Sequence, residues 1–307
     1  MKKIENVAIV GLGALGASHM SKISERVPSD SLRVIASGER ASRIKAGVTV
    51  NGKKYFFPVA TPDDETGPAD LLIFAVKSYQ LIQAIADARN QIDEKTIIMS
   101  LLNGIESEEV IERECGMKPL YSVAVGLDPT REDDSTVYTR LGVIQFGEAT
   151  NEEGNYSQRV MSVRDFFETA GVAYEIPRDM KRALWKKFMF NVGANQTSAI
   201  LRCTYMALQK SPEARLVMRK AMEEVAAVAR HEGVIFTEDD IEDAFALLGK
   251  LSSEGRTSMA QDLSALRKTE VELFGSVVVK LGKIHGVPVP ANELLCSLII
   301  SIENEPS

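Results

Sequence analysis

Short apolar runs punctuate the first half of the chain. VAIV (7–10), LRVIAS (32–37), DLLIFAV (70–76) and TIIMSLL (96–102) are rich in β-branched residues, and each stops at a turn-prone segment. Continuous apolar runs of this length predict buried parallel strands in an α/β sheet. YSVAVGL (121–127), GVIQFGE (142–148) and GVAYEIP (171–177) predict further strands that extend that sheet, with an amphipathic helix over roughly 155–170 between the last two. After Pro177 the pattern becomes helical almost to the end. One helix opens at Ser211 as N-cap with Pro212 in its first position and closes at Gly233. Another opens at Thr237 with Asp240 three residues on, a relative of the capping box, and a last helix begins at about Asn292. The pattern divides the chain into an α/β domain, 1–178, and an all-α domain, 179–307.

Composition narrows the chemistry. With 307 residues and 45% hydrophobic composition, two cores are the expectation. A net charge of −7 argues against nonspecific nucleic-acid binding, which needs a basic face to displace counterions. Cys115, Cys203 and Cys296 lie far apart with no CxxC or Cys/His cluster, so neither a metal site nor a disulfide framework is expected. Free thiols without a secretory pattern fit a cytoplasmic protein. No run of apolar residues is long enough to span a membrane.

The first strand leads into Gly11, Leu12, Gly13, Ala14, Leu15 and Gly16, a GxGxxG turn that opens a helix. In that context Gly11 permits the tight turn, Gly13 lets a pyrophosphate approach the backbone, and Gly16 lets the helix pack on the strand. Unpaired N–H groups at the helix start then face the phosphates. A bare strand-to-helix turn is the plain alternative; four parallel-type strands in the right order favour the dinucleotide. The second strand ends in Ser37-Gly38 rather than in the acid that reads a ribose 2′-hydroxyl, and Glu39, Arg40, Arg43 and Lys45 follow. The basic excess suits a 2′-phosphate, hence NADPH, with Arg40 as its contact; Glu39 is the counter-signal. Lys77 follows the third strand, where a strand's carboxyl end meets the cofactor, or is simply a solvated loop lysine. Asn103-Gly104 ends the fourth strand, either as a ribose and substrate contact or as a common turn dipeptide. Glu106, Glu108 and Glu109 come next, in a first helical turn where they complement the macrodipole.

In ALWKKFMFNVGANQTSAI (183–200), Lys187, Asn191 and Asn195 are spaced by four and form one polar stripe on an otherwise apolar helix. Asparagine is a poor helix former, so the stripe reads either as internal hydrogen bonding or as a face turned to a small polar ligand, which we favour. A further helix is expected over 257–275, carrying Ser258, Asp262 and Glu270.

GLGALG (11–16), AVKSYQ (75–80), LLNGIE (101–106), WKKFMFNVGAN (185–195), SMAQDLSALRKTE (258–270) and HGVPVPAN (285–292) together resemble the ketopantoate reductase (2-dehydropantoate 2-reductase) family, in the family's order and over nearly the whole chain. The resemblance implies a Rossmann-type domain, a helical domain, a substrate cleft between them, and NADPH. It implies Lys187, not Lys186, as proton donor; Asn191, Asn195 and Ser258 as substrate ligands; Asn103 at cofactor and substrate; and Glu270 at the nicotinamide end, assisting. The reaction would be hydride transfer to the C2 carbonyl of a 2-oxo acid, ketopantoate first, in the route to pantothenate. Some members carry an asparagine three before that serine, where this chain has Gly255, or an Asn-Gly pair where it reads Tyr205-Met206. Another branched 2-oxo acid is therefore an open alternative, and a non-catalytic NADP(H)-binding sensor is a third, which would need no lysine–asparagine stripe. A straight helix from Ser258 to Glu270 would hold the two ~18 Å apart, so sharing a site requires a break in that helix or opposite ends of one ligand. The only histidines, His19, His231 and His285, fall outside the stripe helix. A homodimer through the helical half has no heptad pattern behind it.

Overall fold

β1 (Val7–Val10) is buried along its whole length, because α-helices cover both faces of the sheet it centres. Val7 and Ile9 pack on one side with Met20 and Ile23, while Ala8 and Val10 pack on the other with Leu81, Ile85 and Ile111. The computed structural model describes residues 3–132 and 135–304. They form two compact units, one running to Ala183 and one from Leu184.

In chain order the first unit contains β1, α1 (Ala14–Ile23), β2 (Leu32–Ile35), α2 (Gly38–Lys45), β3 (Val48–Val50), β4 (Lys53–Tyr55), β5 (Val59–Ala60), β6 (Leu71–Phe74), α3 (Leu81–Asp87), β7 (Ile97–Ser100), α4 (Ser107–Cys115), β8 (Tyr121–Val125), β9 (Thr130–Glu132), β10 (Ser135–Val137), β11 (Val143–Gly147), α5 (Gln158–Ala170) and β12 (Tyr174–Glu175). Five parallel strands in the order β5-β2-β1-β6-β7 make the Rossmann-type sheet. β8, β11 and β12 do not simply extend it. They form a separate sheet, β12-β11-β8, attached through the Met99–Leu120 bridge and the Leu120 amide, which donates to the Ile98 carbonyl at 2.9 Å. A third sheet, β4-β3-β10-β9, has no counterpart in the sequence expectations. Its strands have three residues each and are partly polar, so they carry little periodicity. The signal that could have found its first hairpin is Asn51-Gly52, with φ of 48° and 76°, the left-handed pair a two-residue hairpin turn requires.

The second unit is helical among its described residues: the bulk of α6 (Met180–Leu201), then α7 (Tyr205–Lys210), α8 (Pro212–His231), α9 (Glu238–Gly249), α10 (Ser258–Ser264), α11 (Gly275–His285) and α12 (Pro290–Glu303). The Ser211 hydroxyl caps α8 by accepting from the Ala214 amide at 3.2 Å, and Thr237 with Asp240 forms the full capping box of α9. The helix expected over 257–275 is broken. α10 stops at Ser264, Leu266 takes a left-handed φ of 53°, and the Arg267 amide turns back onto the Asp262 carbonyl at 2.8 Å. Arg267 Nε also donates to Asp262 Oδ1 at 2.9 Å, fixing the reversal.

Candidate functional site

The candidate residues of the first unit all follow the carboxyl ends of parallel strands: the glycine turn after β1, Arg40 after β2, Lys77 after β6, Asn103 after β7. The strand order reverses between β1 and β6, the switch point at which open α/β sheets bind ligands. Each glycine has its own reason. Gly11 has φ of 100°, and a Cβ there would sit 2.5 Å from the Ala75 carbonyl oxygen. A Cβ on Gly16 would collide with the Gly11 carbonyl. Gly13 is exposed, with nothing within 4 Å of where its Cβ would be. Two glycines thus let α1 close onto the strand, and the third leaves open space at the helix N-terminus. The cradle fits a dinucleotide pyrophosphate.

Arg40 is exposed in the first turn of α2, and Lys77 is half-buried directly after β6. Arg131, on β9, was missed by sequence reasoning. It reaches the glycine turn, donating from Nη1 to the Leu12 carbonyl at 3.2 Å, and its arrival depends on a sheet the sequence did not reveal. Glu108 stands in the first turn of α4, as expected, and is buried at 4% exposure.

In the second unit, α6 brings Lys187, Asn191 and Asn195 to one stripe, with Lys187 and Asn191 half-buried and Asn195 buried. Asn195 Oδ1 accepts from Ser258 Oγ and from the Met259 amide, both at 3.3 Å, so it holds the start of α10. Ser198, on the same helix, is hydrogen-bonded to the α10 N-cap Thr257 at 2.6 Å. These contacts bring Ser258 to the stripe. The break after Ser264 brings Glu270 there too: its carboxylate acts electrostatically on Lys187. Burial pushes the Lys187 ammonium down to about 8, while Glu270 pulls it upward. The expected helix from Ser258 to Glu270 therefore gives way to a fold-back: Ser258 bonds to Asn195 of α6, and Glu270 acts electrostatically on Lys187 of the same helix.

The adjacent lysine faces elsewhere. Lys186 donates to Asp243 at 2.8 Å and lies 3.7 Å from Asp240, on α9. Tyr205 and Gly255, the two departures from the family pattern, pack on each other. The Tyr205 amide donates to the Gly255 carbonyl at 2.8 Å, and a Cβ on Gly255 would lie 3.0 Å from the Tyr205 ring. Asn292 of the HGVPVPAN segment is fully buried and structural: its Nδ2 donates to Glu224 at 2.7 Å and its Oδ1 accepts from Gln196 at 2.9 Å. His19 is buried on α1 with burial pushing it down to about 4, and His231 and His285 stack on each other. Among the described residues there is no metal-binding cluster, and no helix is long and apolar enough to cross a membrane.

Residues 7–151 match the family model described as ketopantoate reductase PanE/ApbA, and residues 179–303 match ketopantoate reductase PanE/ApbA C terminal. The chain is 26% identical over 306 residues to a 2-dehydropantoate 2-reductase of Archaeoglobus fulgidus, covering 98% of this chain and 99% of that one. It is 29% identical over 286 residues to one of Halobacterium salinarum, covering 92% and 88%. A PanE/ApbA family ketopantoate reductase from Ralstonia eutropha superposes with a TM-score of 0.83 at 25% identity, covering 98% of this chain and 99% of that one. A D-mandelate dehydrogenase in complex with NADH and anilino(oxo)acetate shares the fold, with a TM-score of 0.84 at 21% identity and 97% and 98% coverage.

Proposed function

Because this chain belongs to the ketopantoate reductase family, we propose that it is an NADPH-dependent 2-dehydropantoate 2-reductase, forming pantoate in pantothenate and coenzyme A biosynthesis. The observation that carries the reading is Lys187: a half-buried ammonium on a stripe with two asparagines, beside Glu270, with its proton affinity lowered toward neutrality. A general acid works best when its pKa lies near the operating pH.

When bound, the reduced nicotinamide supplies the hydride that adds to the C2 carbonyl carbon. The carbonyl oxygen then gains charge, and Lys187 Nζ both stabilises it and delivers a proton to it. Glu270 keeps that ammonium protonated against the cost of burial. Asn191, Asn195 and Ser258 hold the substrate through neutral donors, which add no charge to compete with the developing alkoxide. In the first unit, the turn from Gly11 to Gly16 seats the pyrophosphate, Arg40 meets the 2′-phosphate, and Lys77 and Asn103 contact the nicotinamide half. A cytoplasmic location and a homodimer belong to the same reading.

A second reading keeps the chemistry and changes the substrate to another branched 2-oxo acid. Tyr205 packed on Gly255 favours it, since an aromatic ring fills the space beside the loop that leads to Ser258. A panel of 2-oxo acids, assayed with NADPH and NADH side by side, tests both. Ketopantoate with NADPH should have the highest kcat/KM. A different acid at the top moves the assignment to the second reading, and no turnover of any acid would reject both.

A further inference from the structure

The turn between β7 and α4, residues 101–106, carries Asn103, and a chain of buried side chains fastens it. The Leu102 amide donates to Ser100 Oγ at 3.3 Å, the Ser100 hydroxyl to Ser107 Oγ at 2.8 Å, and the Ser107 hydroxyl to Glu108 Oε2 at 2.9 Å. Ser100 is the last residue of β7 and Ser107 the first of α4, so the chain ties the two flanks of the turn together. From β8, the Ser122 hydroxyl donates to the Ser100 carbonyl at 2.7 Å and accepts from the Ser100 amide at 3.1 Å. Ser100, Ser107, Ser122 and Glu108 are all buried.

The donors along Leu102, Ser100 and Ser107 run in one direction and end on the Glu108 carboxyl. Its other oxygen, Oε1, is sealed from solvent without a hydrogen-bond partner among the described residues. The titratable charge acting on it is negative, from Glu109, and Arg113 further along the same helix is paired with Glu114. Its own helix brings Glu109 and Glu112, and β8 brings Tyr121. α3, packed on α4, ends in Asp87, which accepts from Gln83 at 2.8 Å. Burial opposes the carboxylate there more than the Ser107 hydroxyl and the backbone amides of Glu108 and Ser122 favour it, so the neutral acid is the form that fits. The result is a Glu108 carboxyl pushed up to about 7 by burial, against the pull of the Ser107 hydroxyl and of the Glu108 and Ser122 backbone amides.

We propose that Glu108 is a positioning residue: as a neutral acid it anchors the Ser107–Ser100 tie that fixes the β7–α4 turn, and through it the placement of Asn103 for the dinucleotide. This rests on the reading of Asn103 as a cofactor contact. Ionisation gives the carboxylate a reason to reach water at the start of α4, and that movement breaks its bond to Ser107. The turn then loosens and dinucleotide affinity falls.

The test is NADPH affinity by fluorescence titration across neutral pH, for the full wild-type chain and for Glu108→Gln, whose amide imitates the neutral acid. Taking the ratio of the two dissociation constants cancels the titration of the ligand's own 2′-phosphate. The ratio should rise by roughly 3- to 10-fold between about pH 6 and about pH 8 as wild type ionises and the glutamine variant does not. A ratio that stays flat overturns the proposal. If Glu108→Gln does not fold, Ser107→Ala cuts the same tie; weakened affinity at both ends of the pH range with wild-type thermal stability supports the proposal, and unchanged affinity overturns it. Asn103→Ala separates the two layers. Unchanged NADPH affinity in that variant removes the reading of Asn103 and this proposal with it, whereas weakened affinity with a flat wild-type-to-Gln ratio removes this proposal alone.

Discussion

Lys187 lies within the electrostatic reach of Glu270, a residue that arrives from a separate, irregular segment after α10. On the proposed reading Glu270 modulates the proton donor, whereas Lys186, one residue away, is tied to Asp243 and Asp240 instead. Replacing Lys187 by alanine should lower turnover by roughly 10²- to 10⁴-fold, the usual cost of losing a positioned proton donor. NADPH binding, followed separately by calorimetry, should persist. Lys186→Ala should leave turnover near wild type and lower thermal stability slightly, as expected for an exposed ion pair. Equal turnover in wild type and both variants would remove the stripe as the active site.

The pH dependence follows from the same pair. If Lys187 is the proton donor, reduction needs it protonated, and burial, opposed by Glu270, brings it to about 8. Turnover in the reductive direction should therefore fall as pH rises through that value. Glu270→Gln removes the pull that raises it, so the fall should move to lower pH. A kcat–pH profile of both proteins decides this; an identical alkaline limb in each would contradict the assignment.

Cofactor choice should respond to Arg40. A charge-assisted contact to a 2′-phosphate is stronger than a neutral one. The wild type should prefer NADPH, and Arg40→Ala should narrow the NADPH/NADH gap mainly through KM for NADPH. Equal efficiency with both cofactors in the wild type would instead make Glu39 a ribose ligand.

The glycine turn offers a paired test. Gly13 has open space around its missing Cβ and an ordinary φ of −70°. Gly13→Ala should therefore keep its melting temperature while losing dinucleotide affinity, because the methyl enters the space read here as the pyrophosphate's. Gly16→Ala should do the reverse in order of severity, destabilising the fold first, because its methyl meets the Gly11 carbonyl. Differential scanning fluorimetry with and without NADPH reads both effects.

Glu108 should also leave a mark on stability. Its carboxyl binds a proton more tightly folded than unfolded, rising from 4.5 to about 7. The folded state therefore holds the extra proton between those values, and stability should decline as pH rises through that window. Urea midpoints at several pH values check this, and Glu108→Gln should flatten the decline.

The sequence alone determined the parallel core and the chemistry that repeats along a helix. Four apolar runs of strand length, rich in β-branched residues and bounded by turn signals, specify strands covered on both faces, and GxGxxG after the first of them specifies close backbone packing. The spacing of Lys187, Asn191 and Asn195 needs nothing beyond helical geometry to share a face. Tertiary structure decided what depends on contacts distant in sequence. That Ser258 bonds to α6 while Glu270 acts on Lys187 of the same helix goes with a left-handed Leu266 and the Arg267–Asp262 bonds, which no periodicity encodes. Arg131 reaches the glycine turn only because three-residue strands too short to show a period pair into a sheet. Glu108 reads in the sequence as a first-turn acid that complements the macrodipole, and its burial comes with the Ser107 hydroxyl and the β8 backbone at Ser122 that meet its carboxyl. Local pattern fixes which side an element buries; which groups then lose their water depends on the neighbours that arrive.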